Sequence, residues 1–213
     1  GGTFSFKEAG TFVAGNSNTL QNVTFDARFP GLNLTFAPGI GTFRIGTLLV
    51  TNDFTLADTE NGPVTLELGW KNDSFSLANV FTGAGGLTKA GTGTMTVTNT
   101  QTYAGPTVVD GGKLAVTGGT LGTLLANTAQ IRLESGSALE LNTTESETND
   151  TPLYGSGAIT KTQESTLALG ALRTTNAAVT VSAGTLEIAG GTFSGGGFTQ
   201  NAGARVVFNG GSS

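Results

Sequence analysis

The chain has 213 residues, a formal net charge of −5, 34 glycines, no cysteine and no histidine. Its ten basic residues are scattered, so there is no concentrated cationic face for nucleic acid or for an anionic membrane surface. Without Cys or His, disulfides, thiol chemistry, a Ser-His-Asp triad and imidazole metal ligands are all excluded.

Apolar residues make up 37% of the chain and come in short runs. None approaches the roughly 20 residues that span a bilayer. The N-terminus lacks a charged segment followed by an apolar one, so no secretion signal is visible within this stretch. Many short β-branched runs, punctuated by Gly and Asn, point to an all-β protein.

Residues 1–82 set the pattern. One column of apolar pairs runs through Phe4/Phe6, Val23/Phe25, Phe43/Ile45 and Val64/Leu66, in steps of 19 to 21 residues. A second column runs through Leu34/Phe36, Phe54/Leu56, Phe75/Leu77, Met95/Val97 and Leu114/Val116 at the same pitch. In each unit, as in Thr94-Met95-Thr96-Val97, alternation puts two apolar residues on one face and polar residues on the other.

Two strands repeated about every 20 residues are satisfied by a coil, in which each turn stacks on the last with like positions about 4.8 Å apart. The expected fold is an all-β, right-handed parallel β-helix (a solenoid), its hand set by the crossover rule. It forms a single domain over residues 1–213, with about ten turns and a length of roughly 50 Å. Ten of the 13 Phe, and the only Trp, fall within residues 1–81. That predicts a wider N-terminal interior filled by stacked rings. A sugar-stacking platform around Trp70 and Phe81 is the functional alternative.

From residue 83 a longer repeat appears. Gly83-Ala-Gly-Gly-Leu-Thr-Lys89 matches Gly155-Ser-Gly-Ala-Ile-Thr-Lys161, Met95/Val97 matches Leu167/Leu169, and Leu114/Val116 matches Leu186/Ile188, always at an offset of 72. Along the second column this reads as three whole turns, through Leu114, Leu139 and Leu167. The segment from Thr143 to Leu153 is polar and without alternation, so it is expected to be a loop. Lys89 and Lys161 recur at matched corners, where bonding carbonyls at a bend is the expected role.

The stretch Gly83 to Val116 resembles the passenger-associated transport repeat of autotransporters. The elements that carry the likeness are Gly85-Gly86-Leu87-Thr88-Lys89, Gly93-Thr94-Met95, Tyr103-Ala104-Gly105-Pro106-Thr107 and Gly112-Lys113-Leu114. The copy at 155–188 is degenerate, with Thr175 in place of Tyr103. This divides the coil into aromatic-rich turns 1–82, a first passenger-type unit 83–154 and a second, degenerate unit 155–213. The resemblance implies a segment exported to the bacterial cell surface, with a β-barrel translocator elsewhere in a longer precursor.

No cofactor or catalytic residue is expected, and no membrane insertion by this segment. Partners would be surface glycans or proteins, or copies of the chain itself. Two acidic groups, Asp53/Asp58/Glu60 and Glu145/Glu147/Asp150, are the candidates for calcium, which takes several oxygens. Neither has EF-hand spacing, so solvated loops are the expectation. Trp70, Phe81, Glu145, Glu147 and Asp150 remain as a candidate ligand surface. The functional expectation is a non-enzymatic stalk or adhesion surface. A carbohydrate-active β-helix enzyme (a polysaccharide lyase or glycosidase), an inert spacer and an ice-binding face are the alternatives.

Overall fold

The computed structural model describes residues 2–209. Among them, nearly all regular structure is short parallel strand. The one helix is four residues long, Leu121–Leu124. Most strands bond to the strand one turn before and the strand one turn after. Leu87–Lys89, for example, lies between Thr65–Leu68 and Thr107–Val109. The ladders form sheets of ten, seven and four strands, with two further pairs near the N-terminal end. The chain is a β-solenoid of about ten turns, each of about 20 residues.

Alternation fixes which side chains enter the interior. In Thr94–Val97, Met95 and Val97 are fully buried while both threonines are partly exposed. A single apolar cluster runs from Ala14 to Ala204. Phe36 and Leu56, expected inside, are both buried.

Three faces exist where two strand columns were expected. In the later turns the chain passes from the ten-stranded sheet (Leu172–Thr175) to the seven-stranded one (Ala178–Val181). It then enters the four-stranded one (Thr185–Ile188) and returns (Gly191–Ser194). The run Phe75, Met95, Leu114, Leu139 stacks as expected. Leu34 and Phe54 do not belong to it. Leu34 pairs with Phe12, and Phe54 with Phe81. Leu139 pairs with Ile159, not with Leu167, which lies on the third face between Glu147 and Leu186.

The first column is also shifted. Phe4 pairs with Phe25, Phe25 with Leu48, and Phe43 with Leu66. Most of these shifts are by two residues. They preserve which side faces inward, so alternation cannot detect them. The long strands Leu20–Ala27 and Thr42–Val50 bend between two ladders, with a register shift between Leu20 and Thr24.

The 72-residue repeat is therefore not a whole number of turns. It carries Leu87–Lys89 in the ten-stranded sheet onto Ala158–Lys161 in the seven-stranded one, three turns and one face further on. Likewise Thr94–Val97 maps from the seven-stranded sheet to Thr166–Leu169 in the four-stranded one. The segment 143–153 also departs from expectation, because Glu147–Asn149 is a strand of the third face. Its inward residue is the buried Asn149, so no apolar alternation announces it.

The N-terminal interior is aromatic. Phe25, Phe36, Phe43 and Phe81 are buried, and Phe54 stacks on Phe81 at 5.9 Å. Phe4, Phe6 and Phe12 gather around Phe25. Phe193, Phe198 and Phe208 form a second ring cluster at the other end.

Stacking at the strand spacing leaves no room for a side chain where corners nest. A Cβ on Gly85 would lie 1.9 Å from the Val64 carbonyl oxygen, and one on Gly105 would lie 2.4 Å from that of Gly85. Both clashes are with backbone, which cannot swing aside. Gly85→Ala is expected to destabilise by more than about 3 kcal/mol in urea unfolding. Gly15→Ala, with nothing within 4 Å of the new atom, should stay within about 0.5 kcal/mol.

Candidate functional site

Trp70 and Phe81 do not form a platform. Phe81 points inward and has no exposed surface. Trp70 is half-buried, and its Nε1 donates to Glu67 Oε2 at 3.3 Å. Glu67 in turn accepts from Arg44 Nε at 2.6 Å across adjacent turns. The ring is thus tied into a surface ion pair.

The acidic groups are dispersed or engaged. Glu147 accepts from the backbone N–H of Leu121 and, at 2.9 Å, from that of Gly122. It thereby satisfies two free donors at the start of the short helix. Glu145 and Asp150 are exposed and make no such contact. Asp58 accepts from the N–H groups of Gly39, Glu60 and Gly62 at 2.8 to 2.9 Å. Those bonds, Gly39 and Gly62 foremost, hold its carboxyl below the usual range. Asp53 accepts from the Val80 N–H at 2.8 Å. Among the described residues, no three acidic side chains come together as a metal site would need.

Sequence reasoning missed a cleft on the third face, of about 390 Å³. It lies between the strand Leu32–Phe36 and the segment 52–59, and is lined by Asn33, Thr35, Asp53 and Thr55 among others. The two walls are pinned at both ends. Asn52 Nδ2 donates to the Leu32 carbonyl at 2.8 Å, and the Thr59 N–H donates to the Phe36 carbonyl at 3.0 Å. Between these pins the ladder is open, since Phe54–Thr55 pairs with Phe81–Thr82 on the other side. No signal in the sequence marks it, because its residues alternate like any other strand.

Polar side chains inside the coil complete the ladder where strands end. Asn52, Asn79 and Gln101 form a descending series. Asn79 Nδ2 donates to the Asn52 carbonyl at 3.1 Å, and Gln101 Nε2 donates to the Asn79 carbonyl at 2.7 Å. Gln101 Oε1 accepts from the Phe81 N–H at 2.9 Å. Each amide stands in for a missing backbone rung.

The two lysines are corner clamps. Lys89 is fully buried, and its Nζ donates to the carbonyls of Ala90 (2.6 Å), Gly91 (2.9 Å) and Gly111 (3.1 Å). Lys161, also fully buried, donates to the carbonyls of Gln163 and Ala183 and to Ser165 Oγ. Gln163 and Ala183 stand 72 residues after Gly91 and Gly111. The same clamp is thus built at two different corners, each tying one turn to the next. Burial pulls the Lys89 ammonium down to about 8 from its ordinary 10.5, and lowers Lys161 in the same direction.

Tyr103 supplies the other buried contact of the motif. Its hydroxyl lies 2.6 Å from Thr107 Oγ1, which lies 2.8 Å from Thr128 Oγ1. Thr128 donates onward to the Gly105 carbonyl at 3.0 Å. This explains the Tyr-x-Gly-x-Thr spacing. In the second copy Thr175 and Val179 replace Tyr103 and Thr107, so both ends of that bond are replaced together. Complete burial raises the Tyr103 phenol well above its ordinary 10.

Lys89→Met removes the donor for three carbonyls, that of Ala90 buried and those of Gly91 and Gly111 partly so, and is expected to cost about 2 kcal/mol or more. Because burial depresses the folded-state value, the hydrogen-bond contribution of Lys89 is joined by a pH-dependent gain that is full above 10.5 and is lost as pH falls through about 8. The stability advantage of wild type over Lys89→Met should therefore widen between those two pH values in urea titrations. Tyr103→Phe should cost about 1 kcal/mol. In a Tyr154→Phe background, ultraviolet titration should show the Tyr103 phenol ionising only as the coil unfolds.

The passenger-associated transport repeat family matches residues 87–116 and 159–188. Both matched stretches open just before a clamp lysine and close on a paired strand, Lys113–Thr117 and Thr185–Ile188. No curated protein and no solved structure matches the chain. The chain carries two passenger-associated transport repeats wound into a parallel β-solenoid, an arrangement consistent with an autotransporter passenger domain.

Proposed function

We propose that this chain is an exported, extracellular β-helical segment of an autotransporter passenger. It works as a rigid stalk or as a surface for adhesion or self-association, and not as an enzyme. The observation that carries this reading is the pair of transport repeats embedded in a continuous stack of parallel turns. Export would run through an outer-membrane β-barrel encoded elsewhere in the precursor. Among the described residues, no helix is long and apolar enough to cross a membrane.

A continuous ladder suits a stalk. Bending the rod must break rungs on the ladders that hold every turn to the next. A long solenoid also offers flat faces on which weak contacts add up over several turns. The geometry shared by the two lysine clamps serves cohesion between turns and leaves neither ammonium free for chemistry. The outward row of the seven-stranded sheet runs Ser76, Thr96, Ala115, Glu140, Thr160. Ala115 and Glu140 break it, which counts against a regular threonine lattice for ordering water.

Antibodies against this chain should label intact cells of its source, and added protease should remove the label. Labelling only after lysis would overturn the export reading. The purified chain should release neither reducing ends nor unsaturated products from acidic polysaccharides. Such release would favour a β-helix lyase or glycosidase.

A further inference from the structure

We infer that the cleft between Leu32–Phe36 and residues 52–59 is a binding site for a neutral saccharide. It goes beyond the proposed function, because it stands or falls on the purified protein wherever the chain is displayed. The volume, about 390 Å³, lies within the usual range of small-ligand sites, roughly 300–1,000 Å³. Leu34 and Phe54 border it, but they point into the core and are almost fully buried, so mostly polar residues make up the accessible surface. Its walls carry amides, hydroxyls and carboxylates: Asn33, Thr35, Asn52, Asp53, Thr55 and Asp58.

That mixture fits a polyol better than an ion. No Lys or Arg lines the cleft, so an anionic ligand would meet only carboxylates. A divalent cation needs several free oxygens. Asp58 already accepts three backbone N–H bonds and Asp53 one, and no third acidic side chain joins them. Sugar hydroxyls both donate and accept. They can use the remaining lone pairs of Asp53 and Asp58 and the two-way groups of Asn33, Thr35 and Thr55.

Two further observations support a built site. The walls are fixed before any ligand arrives, by Asn52 on the Leu32 carbonyl, Thr59 on the Phe36 carbonyl and Asp58 on its own turn. A preorganised wall lowers the entropy lost on binding. In addition, Thr35 Oγ1 is shielded from water and has no hydrogen-bond partner. Buried hydroxyls are ordinarily paired, and an unpaired one is a cost to the fold. Because Thr35 lines the cleft, rotation about χ1 is the adjustment by which a sugar hydroxyl could reach and complete it.

Saturation-transfer NMR on the purified chain tests this. The probes are the methyl glycosides of glucose, galactose, mannose and N-acetylglucosamine, with cellobiose, lactose and chitobiose, each at millimolar concentration. At least one should receive saturation. Asn33→Ala and Thr35→Val should each weaken its binding by roughly fivefold to tenfold. Thr35→Val keeps the side-chain shape and removes the unpaired hydroxyl. It should therefore melt no lower than wild type, which separates lost binding from lost folding. Thr55→Ala, at an exposed position, provides a second variant with little risk to the fold. Absence of transfer to every neutral sugar overturns the inference. So does transfer that all three substitutions leave undiminished.

Discussion

The backbone ladder between successive turns is the constraint on which everything else in this molecule depends. Parallel strands must lie about 4.8 Å apart to bond, and that spacing recurs at every level of the structure. It decides that Gly85 and Gly105 can carry no side chain, because the carbonyl of the turn below occupies the space. It decides that inward side chains stack on those of the next turn, as Phe54 does on Phe81. It also creates the central difficulty of a coil. Strands must bend at corners, and there the carbonyls and amides lose their regular partners inside an apolar rod.

Buried polar side chains meet that difficulty. Lys89 and Lys161 each gather acceptors from two turns, and Gln101 and Asn79 replace rungs one by one. Leaving such groups unpaired would cost about 1–3 kcal/mol apiece. An inward lysine is costly to bury, yet its three donors and long stem let one residue close a corner that no backbone group reaches. The open cleft on the third face is the converse case. There the ladder is interrupted between two pins, and side chains rather than strand neighbours line the gap.

The two transport repeats share sequence but not position around the rod. Leu87 and Ile159 correspond, yet they lie on different faces. This is possible because all three faces ask the same thing of a strand: alternating inward apolar residues followed by a corner. Lys89 and Lys161 can therefore close different corners with equivalent acceptors. The repeat is a unit of strand, bend and clamp, and it is indifferent to which face it occupies.

The period of about 20 residues, the inward pairs and the glycine corners were legible in the sequence, since each is a local demand of a stacked strand. The roles of Lys89 and Lys161 were legible too, because an apolar strand that ends in lysine twice at matched places has few other uses for it. The third face was not. Its inward positions include Gln101 and Asn149, whose burial depends on amides meeting the turns above and below. The register of the first column was equally hidden, because a slip of two residues keeps every side chain on its face. Trp70 and Phe81 were the aromatic candidates for a sugar platform, but the coil turns one inward and ties the other to Glu67. The cleft arises only where two particular turns part company. Sequence determined what each segment must do locally. The stacking of one turn on the next decided which segments meet, because that depends on the summed length of every corner between them.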